Sequence, residues 1–363
     1  MTATPSIDPS SRSTEIGAPQ PPGIDPMLNP STRMLWRSPT SIQLELGSQA
    51  VVVDGLGPST VRRLAARPGV AGGAPGPRPV HVALQTLTDA GYLWPRVSDG
   101  ANNDDDTAAF DDPRLAPPSP RLACELGGLA ARHGQRAAEV LNARRHYLVT
   151  VHGDGRCGVH IAALLAAAGV GRVCLSQPGT VRLEHAMPGG VTPVDEGGNL
   201  AAAASAAIQR AAPEADTTAP PLGEQPDLVI LATDDPVDGQ RRDSLHAREC
   251  PHLVVRLGPD HGSVGPLVLP GLTSCLQCAD LHRLDRDPAW SALAVQLSQP
   301  RRRGANSDVA VATLISAVAV LQALAFLDGE QPATVDGTIE LHLPDWRLRR
   351  RSWSVHHSCG CCR

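Results

Sequence analysis

With 363 residues the chain is long enough for two domains, and its 42% hydrophobic content allows a sizeable core, although aromatics at 2% leave that core to Ala, Val and Leu. A net charge of -5 argues against a general nucleic-acid binder, and since no Lys occurs, all 32 basic residues are Arg. Residues 1–30 are polar and Pro-rich and lack the apolar run of a signal peptide, so a cytoplasmic location is expected. In that compartment clustered cysteines more often hold metal than form disulfides.

Residues 1–24, rich in Ser, Pro and Thr, are predicted to be a disordered tail. A small module is predicted over 25–97. It starts with a short strand over 33–37. In 41–46 apolar and polar residues alternate, with Ile42, Leu44 and Leu46 facing one way. A turn at Gly47 and Ser48 leads to a β-branched strand over 50–53, which completes a hairpin. Ser59 can cap a helix running to Arg67, and residues 80–90 form an amphipathic helix that ends at Gly91. Hairpin and two helices are the order of a winged helix. The 80–90 helix carries no Arg, which argues against a role in reading DNA. Residues 98–120 are an acidic, Pro-rich linker, and a helical stretch with Leu126 and Leu129 opens a second domain over 121–363.

In that domain a strand over 147–151 precedes Gly153, Gly155 and Gly158, which make G-x-G-x-x-G before an Ala/Leu helix and a second strand over 172–175. This is the βαβ frame the motif requires. The first glycine makes the tight turn, the second lets phosphate approach the backbone, and the third lets helix and strand pack closely. The helix N-terminus then offers free N–H groups to an anion. No carboxylate follows the second strand, where Ser176 stands, and this counts against a dinucleotide dehydrogenase. A further strand over 227–232 ends in Thr233, Asp234 and Asp235. Residues 309–327 are apolar, but Thr313, Ser316 and Gln322 interrupt the run and Asp308 and Asp328 bound it, so a buried helix is predicted and not a membrane span.

Nine cysteines occur, and Cys275/Cys278 and Cys359/Cys362 are two C-x-x-C pairs. Such pairs can complete a tetrahedral Zn–S4 site, structural because all four positions are filled by protein. Cys361 competes with Cys362 for the fourth place, and His356 and His357 are further alternatives.

The segment "DLVILATDD" resembles the D-x-V-x-D-x-T-D-N stretch of the ThiF/MoeB (ubiquitin-activating-type) superfamily, and "GPLVLPGLTSCLQCADLHRLDRDPAW" is similar to its entry to a zinc knuckle. The resemblance implies a Rossmann-like α/β domain that binds Mg-ATP and adenylates a carboxylate, such as the C-terminus of a ubiquitin-like carrier. It implies that Gly153, Gly155, Gly158, Arg182 and Asp234 bind the nucleotide, with Asp234 near magnesium; capping of the following helix is the other role open to Asp234. It also implies that zinc ties the C-terminal tail back to the sheet. The chain departs from the pattern in two places. Ser176 replaces the ribose Asp. In the counterpart of D-V-G-x-x-K-A, which starts at Asp195, Leu200 replaces the Lys. Each lost charge of this kind costs on the order of 10² in rate or more.

The stretches "QLELGSQAVVVDGL" and "DAGYL" resemble the PqqD-like leader-peptide-recognition fold, which adds a peptide as a strand. Joined to a ThiF-like domain over residues 27–362, this is similar to the partner proteins of bacteriocin or azoline cyclodehydratases. The resemblance implies a non-catalytic protein that delivers a precursor by its leader peptide to a YcaO-type protein, with a homodimer as an allowed state and neither nucleic acid nor membrane as a partner. An active adenylyltransferase is the competing expectation.

Overall fold

The computed structural model describes residues 6–7, 25–28, 32–45, 50–58, 87, 93–96, 119–153, 156–233, 237–297 and 307–362. The chain divides into two compact units, Met1–Asn142 and Ala143–Arg363.

In the first unit, β1 (Ser6–Ile7), β3 (Met34–Ser38), β4 (Ser41–Leu44) and β5 (Val51–Val53) form one sheet in the order β1-β5-β4-β3. The predicted hairpin is β4 paired antiparallel with β5, Ile42 opposite Val53 and Leu44 opposite Val51. Ile42 and Leu44 are fully buried, as the alternation requires. Ser6 and Ile7 pair with Val52 and Val53 inside the stretch expected to be a disordered tail. β2 (Asp25–Leu28) pairs antiparallel with β6 (Leu93–Arg96). The rest of the 1–24 tail, Leu46, the helices expected over 59–67 and 80–90 (Leu87 apart), and the linker up to residue 118 lie outside the described residues. Farther on, α1 (Ala123–His133) buries Leu126 and Leu129 in a small apolar cluster with Leu141 of α2 (Ala137–Arg144).

The second unit is built on a seven-stranded sheet. Its strands are β7 (Leu148–His152), β8 (Arg172–Leu175), β9 (Leu228–Ala232), β10 (His252–Leu257), β11 (His261–Val268), β12 (Gly337–His342) and β13 (Leu348–Ser352). Their order is β13-β12-β11-β10-β9-β7-β8. β8, β7, β9 and β10 are parallel, and β11 to β13 extend the sheet antiparallel. Parallel strands buried on both faces need apolar side chains all along. Every residue of β9 is buried, and its side chains alternate between two cores. Leu228, Ile230 and Ala232 meet α3 (Arg156–Ala167), α4 (Leu200–Ala211) and α8 (Val309–Leu327). Val229 and Leu231 face the other core with Leu245 of α5 (Gly239–Ala247) and Leu276 of α6 (Leu276–Arg286), which is followed by α7 (Trp290–Leu297).

α8 is long and apolar enough to cross a membrane, yet Val311, Ile315, Ala319 and Ala323 are packed into the core. The side chain of its C-cap residue, Asp328, is fully buried and takes two bonds from Arg144, Nε–Oδ1 at 2.9 Å and NH2–Oδ2 at 2.7 Å. A third guanidinium nitrogen donates to the Ala168 carbonyl at 2.8 Å, so within the second unit this one side chain ties the end of α3 to the end of α8.

Candidate nucleotide site and cysteine cluster

The chain leaves β7 through α3 to reach β8 on one side, then returns through α4 to β9 on the other side of β7. The strand order therefore reverses at β7/β9, and the crevice beyond their C-terminal ends is where open α/β sheets bind ligands. Gly153 follows β7 directly. A Cβ on it would lie 2.4 Å from the Ala232 carbonyl oxygen at the end of β9, so no larger residue fits there. A Cβ on Gly158, in the first turn of α3, would lie 3.0 Å from the Gly153 oxygen. The first and third glycines thus occupy the turn and the helix–strand contact assigned to them. Gly155 and Asp234 lie outside the described residues. The cap of α5 is Asp238, whose Oδ1 accepts from Gln240 N at 3.1 Å, so that helix does not draw on Asp234.

Arg182 is exposed and engaged locally, 3.1 Å from Glu184 and 2.9 Å from the His185 ring. Its loop is joined to the start of α3 by Arg156, which donates to the Glu184 carbonyl at 2.7 Å and to the Ser307 carbonyl at 3.0 Å. Sequence reasoning missed this arginine, although it lies inside the glycine motif. Ser176 follows β8 directly and is exposed. Leu200 opens α4 at 1% exposure inside the main core, behind the Asn199 cap, so this position presents no polar group to the crevice.

His152, the last residue of β7, was also missed. Its Nδ1 lies 2.8 Å from the Ser176 carbonyl, so Nδ1 carries the proton and Nε2 is an acceptor in the neutral ring. Burial, helped by the positive charge of Arg241, lowers its pKa to about 4 against the opposing Ser176 bond. A histidine depressed in the fold binds more protons unfolded than folded between its two values. The stability it contributes is complete above about 6.5 and is lost as the pH falls toward about 4. Urea melts at pH 7 and pH 4.5 should show a larger acid loss for the parent protein than for His152→Gln; equal losses would refute this assignment.

At the opposite face of the sheet, Cys275 is the N-cap of α6 and Cys278 lies in its first turn. Cys275 Sγ is 3.8 Å from Cys278 and 3.6 Å from Cys359, and Cys278 Sγ is 3.4 Å from Cys361. The fourth member is therefore Cys361, a correction to the C-x-x-C spacing that favoured Cys362. Cys362 lies outside that group: its Sγ donates to the Thr273 carbonyl at 3.2 Å and is 3.6 Å from Cys361 Sγ. His356 is not in the group either. Its Nδ1 accepts from Ser358 N, Nε2 donates to Asp285 at 2.8 Å, and its carbonyl accepts from Cys359 N, which fixes the loop carrying two of the sulfurs.

All four thiols are buried, and no pair is at disulfide distance. A tetrahedral ion with Zn–S bonds of about 2.3 Å needs sulfurs about 3.8 Å apart, so the group fits such an ion closely. Burial pushes the Cys275 thiol up to about 11, and the Cys361 thiol is raised as well. A bound divalent cation reverses that preference, because coordination deprotonates thiols outright.

No protein-family model matches the chain, and no curated protein matches it in sequence. Solved structures do match. E. coli MccB with ATP superposes at a TM-score of 0.65, with 13% identity, over 94% of this chain and 100% of that one. The fold is that of MccB. MccB with MccA gives a TM-score of 0.66 at 14% identity over 94% and 100% of the two chains, and MccB is described elsewhere as a microcin C7 biosynthetic enzyme, in complex with N-formylated MccA. PaaA is similar over 75% of this chain and 91% of its own, with a TM-score of 0.56 and 16% identity. Because MccB is matched along nearly its whole length, the likeness in fold extends beyond the glycine motif.

Proposed function

We propose that this chain is a ThiF-like protein of peptide-modifying machinery which binds a peptide and whose own ATP site is impaired. The observation that carries the second half is Leu200. Where the superfamily pattern has a lysine on the phosphates, this chain buries an aliphatic side chain in the core, and no lysine elsewhere replaces it. Ser176 adds no carboxylate for the ribose. The first half draws on MccB, which has been solved with the MccA peptide. In this reading the β4/β5 hairpin belongs to a PqqD-like module holding a leader peptide, and a YcaO-type protein is the catalytic partner. Cys275, Cys278, Cys359 and Cys361 hold a structural zinc that stabilises the second unit and takes no part in chemistry.

A second reading is favoured by the intact contacts of Gly153 and Gly158 and by the likeness to ATP-bound MccB. There the chain adenylates a peptide or carrier. A carboxylate oxygen attacks the α-phosphorus, the bond to the β-phosphate oxygen breaks, and pyrophosphate leaves. Arg182 and Asp234 would attend the phosphates and magnesium.

Calorimetric titration of the zinc-loaded protein with Mg-ATP separates the two. The first reading expects no binding at micromolar concentrations and no exchange of labelled pyrophosphate into ATP. Micromolar binding with exchange would replace it by the second.

A further inference from the structure

The second unit contains a cavity of about 360 Å³ apart from the glycine crevice, on the α5/α6 face of the sheet. Its floor is β10 and β11, and α6, α7 and Trp353 close its sides. Two buried donors in its lining have no hydrogen-bond partner among the described residues, Arg256 Nε and Trp290 Nε1. Arg256 reaches the cavity because β10 alternates. Leu253, Val255 and Leu257 enter the main core, and His252, Val254 and Arg256 point to the other face. A guanidinium N–H withdrawn from water without an acceptor is unfavourable, so such a group marks a place for an incoming one.

The other charges around the cavity are already engaged. Arg242 is bound to Asp243 at 2.9 Å and Arg283 to Asp280 at 2.9 Å, with the Arg283 guanidinium stacked 5.0 Å from the Trp290 ring centroid. Glu340 takes Arg351 at 3.4 Å and the Thr338 hydroxyl at 3.0 Å, and Asp238 caps α5. Trp353 donates to Thr338 at 3.2 Å. Among the described residues Arg256 Nε and Trp290 Nε1 have no hydrogen-bond acceptor, and Asp280, already held by Arg283, reaches Arg256 only through its charge. One guanidinium without a hydrogen-bonded carboxylate suits a single negative charge better than a polyphosphate. Apolar walls at Val254, Ala279 and Ala294 suit the aliphatic stem of a carboxylate-bearing group.

We propose that this cavity is a specificity pocket for a carboxylate on the bound peptide, held by Arg256 and Trp290. The proposal rests on the peptide-binding reading above. The carboxylate could belong to an acidic side chain or to a free peptide C-terminus.

Three hexapeptide probes distinguish these sources: one capped at both ends with a central Asp, its Asn counterpart, and the Asn peptide with a free C-terminal carboxylate. Each is titrated into the full-length zinc-loaded protein, with Trp fluorescence as readout because Trp290 and Trp353 line the cavity. Arg256→Met removes the charge and keeps the bulk, and deleting an unpartnered buried cation should leave the melting temperature unchanged or raised. Binding of the capped Asp peptide, weakened about tenfold or more by Asp→Asn and by Arg256→Met, supports a side-chain carboxylate. The same dependence for the uncapped Asn peptide alone supports a C-terminal one. Equal binding of all three, or binding indifferent to Arg256→Met, overturns the pocket and leaves the peptide-binding reading standing. Failure of every probe at millimolar concentration overturns the pocket, and the peptide-binding reading is then judged separately by titration with the natural precursor.

Discussion

Cys278→Ser in the zinc-loaded protein is expected to release about one equivalent of metal and to abolish cooperative folding of the second unit. Structural zinc contributes on the order of 10–16 kcal/mol in small domains, comparable to or greater than the about 5–15 kcal/mol by which most proteins are stable. Cys278 is fully buried in the first turn of α6 with its sulfur against Cys361, so its loss also loosens the loop at 359–361 from that helix. Cys361→Ser should behave in the same way. Cys362→Ser should keep its metal, because that sulfur is committed to the Thr273 carbonyl. Elemental analysis alongside thermal melts checks all three. Metal lost from Cys362→Ser and retained by Cys361→Ser would overturn the ligand set.

The second large effect is expected at Asp328. Asp328→Ala leaves the Arg144 guanidinium at 0% exposure without its carboxylate, and breaking a buried pair from one side costs about 3–5 kcal/mol. In a unit of this size that lowers the melting temperature by roughly 10 °C. The double variant Arg144→Met with Asp328→Leu should recover most of the loss, since an apolar pair of similar volume removes the uncompensated charge. Urea denaturation of the parent and the two variants measures this. A single variant as stable as the parent would show that the pair contributes nothing net.

Much of the second unit was legible in the sequence because its signals are local. The strands expected over 147–151 and 172–175 differ little from Leu148–His152 and Arg172–Leu175, and the helix expected over 309–327 is α8. A buried parallel strand and an all-apolar helix announce themselves by composition. The fourth sulfur was not legible, since Cys361 and Cys362 are neighbours and only the backbone direction after Gly360 decides between them. Nor were His152 and Arg256. Each is a polar residue at the end of an apolar strand, where a solvated position is the ordinary reading, and only the neighbouring strands and helices enclose them. A period-two reading of β10 would have put His252 and Arg256 on one buried face, and that was the available clue. In the first unit the strand at Ser6–Ile7 had no signal of its own, because its pairing with β5 is a long-range choice.

The cysteine cluster also bears on how the chain is made. Cys278 and Cys361 are 83 positions apart. At about 5–20 residues per second, translation takes roughly 4–17 seconds to pass from one to the other. Throughout that interval Cys275 and Cys278 exist as a pair of thiols with no partners, while the strands and helices upstream of them have already been made. On the zinc reading proposed above, the nascent protein carries half of the site before it can close it, and its yield in the cell should depend on keeping those two thiols reduced, and free of competing soft metals, until residue 361 has emerged.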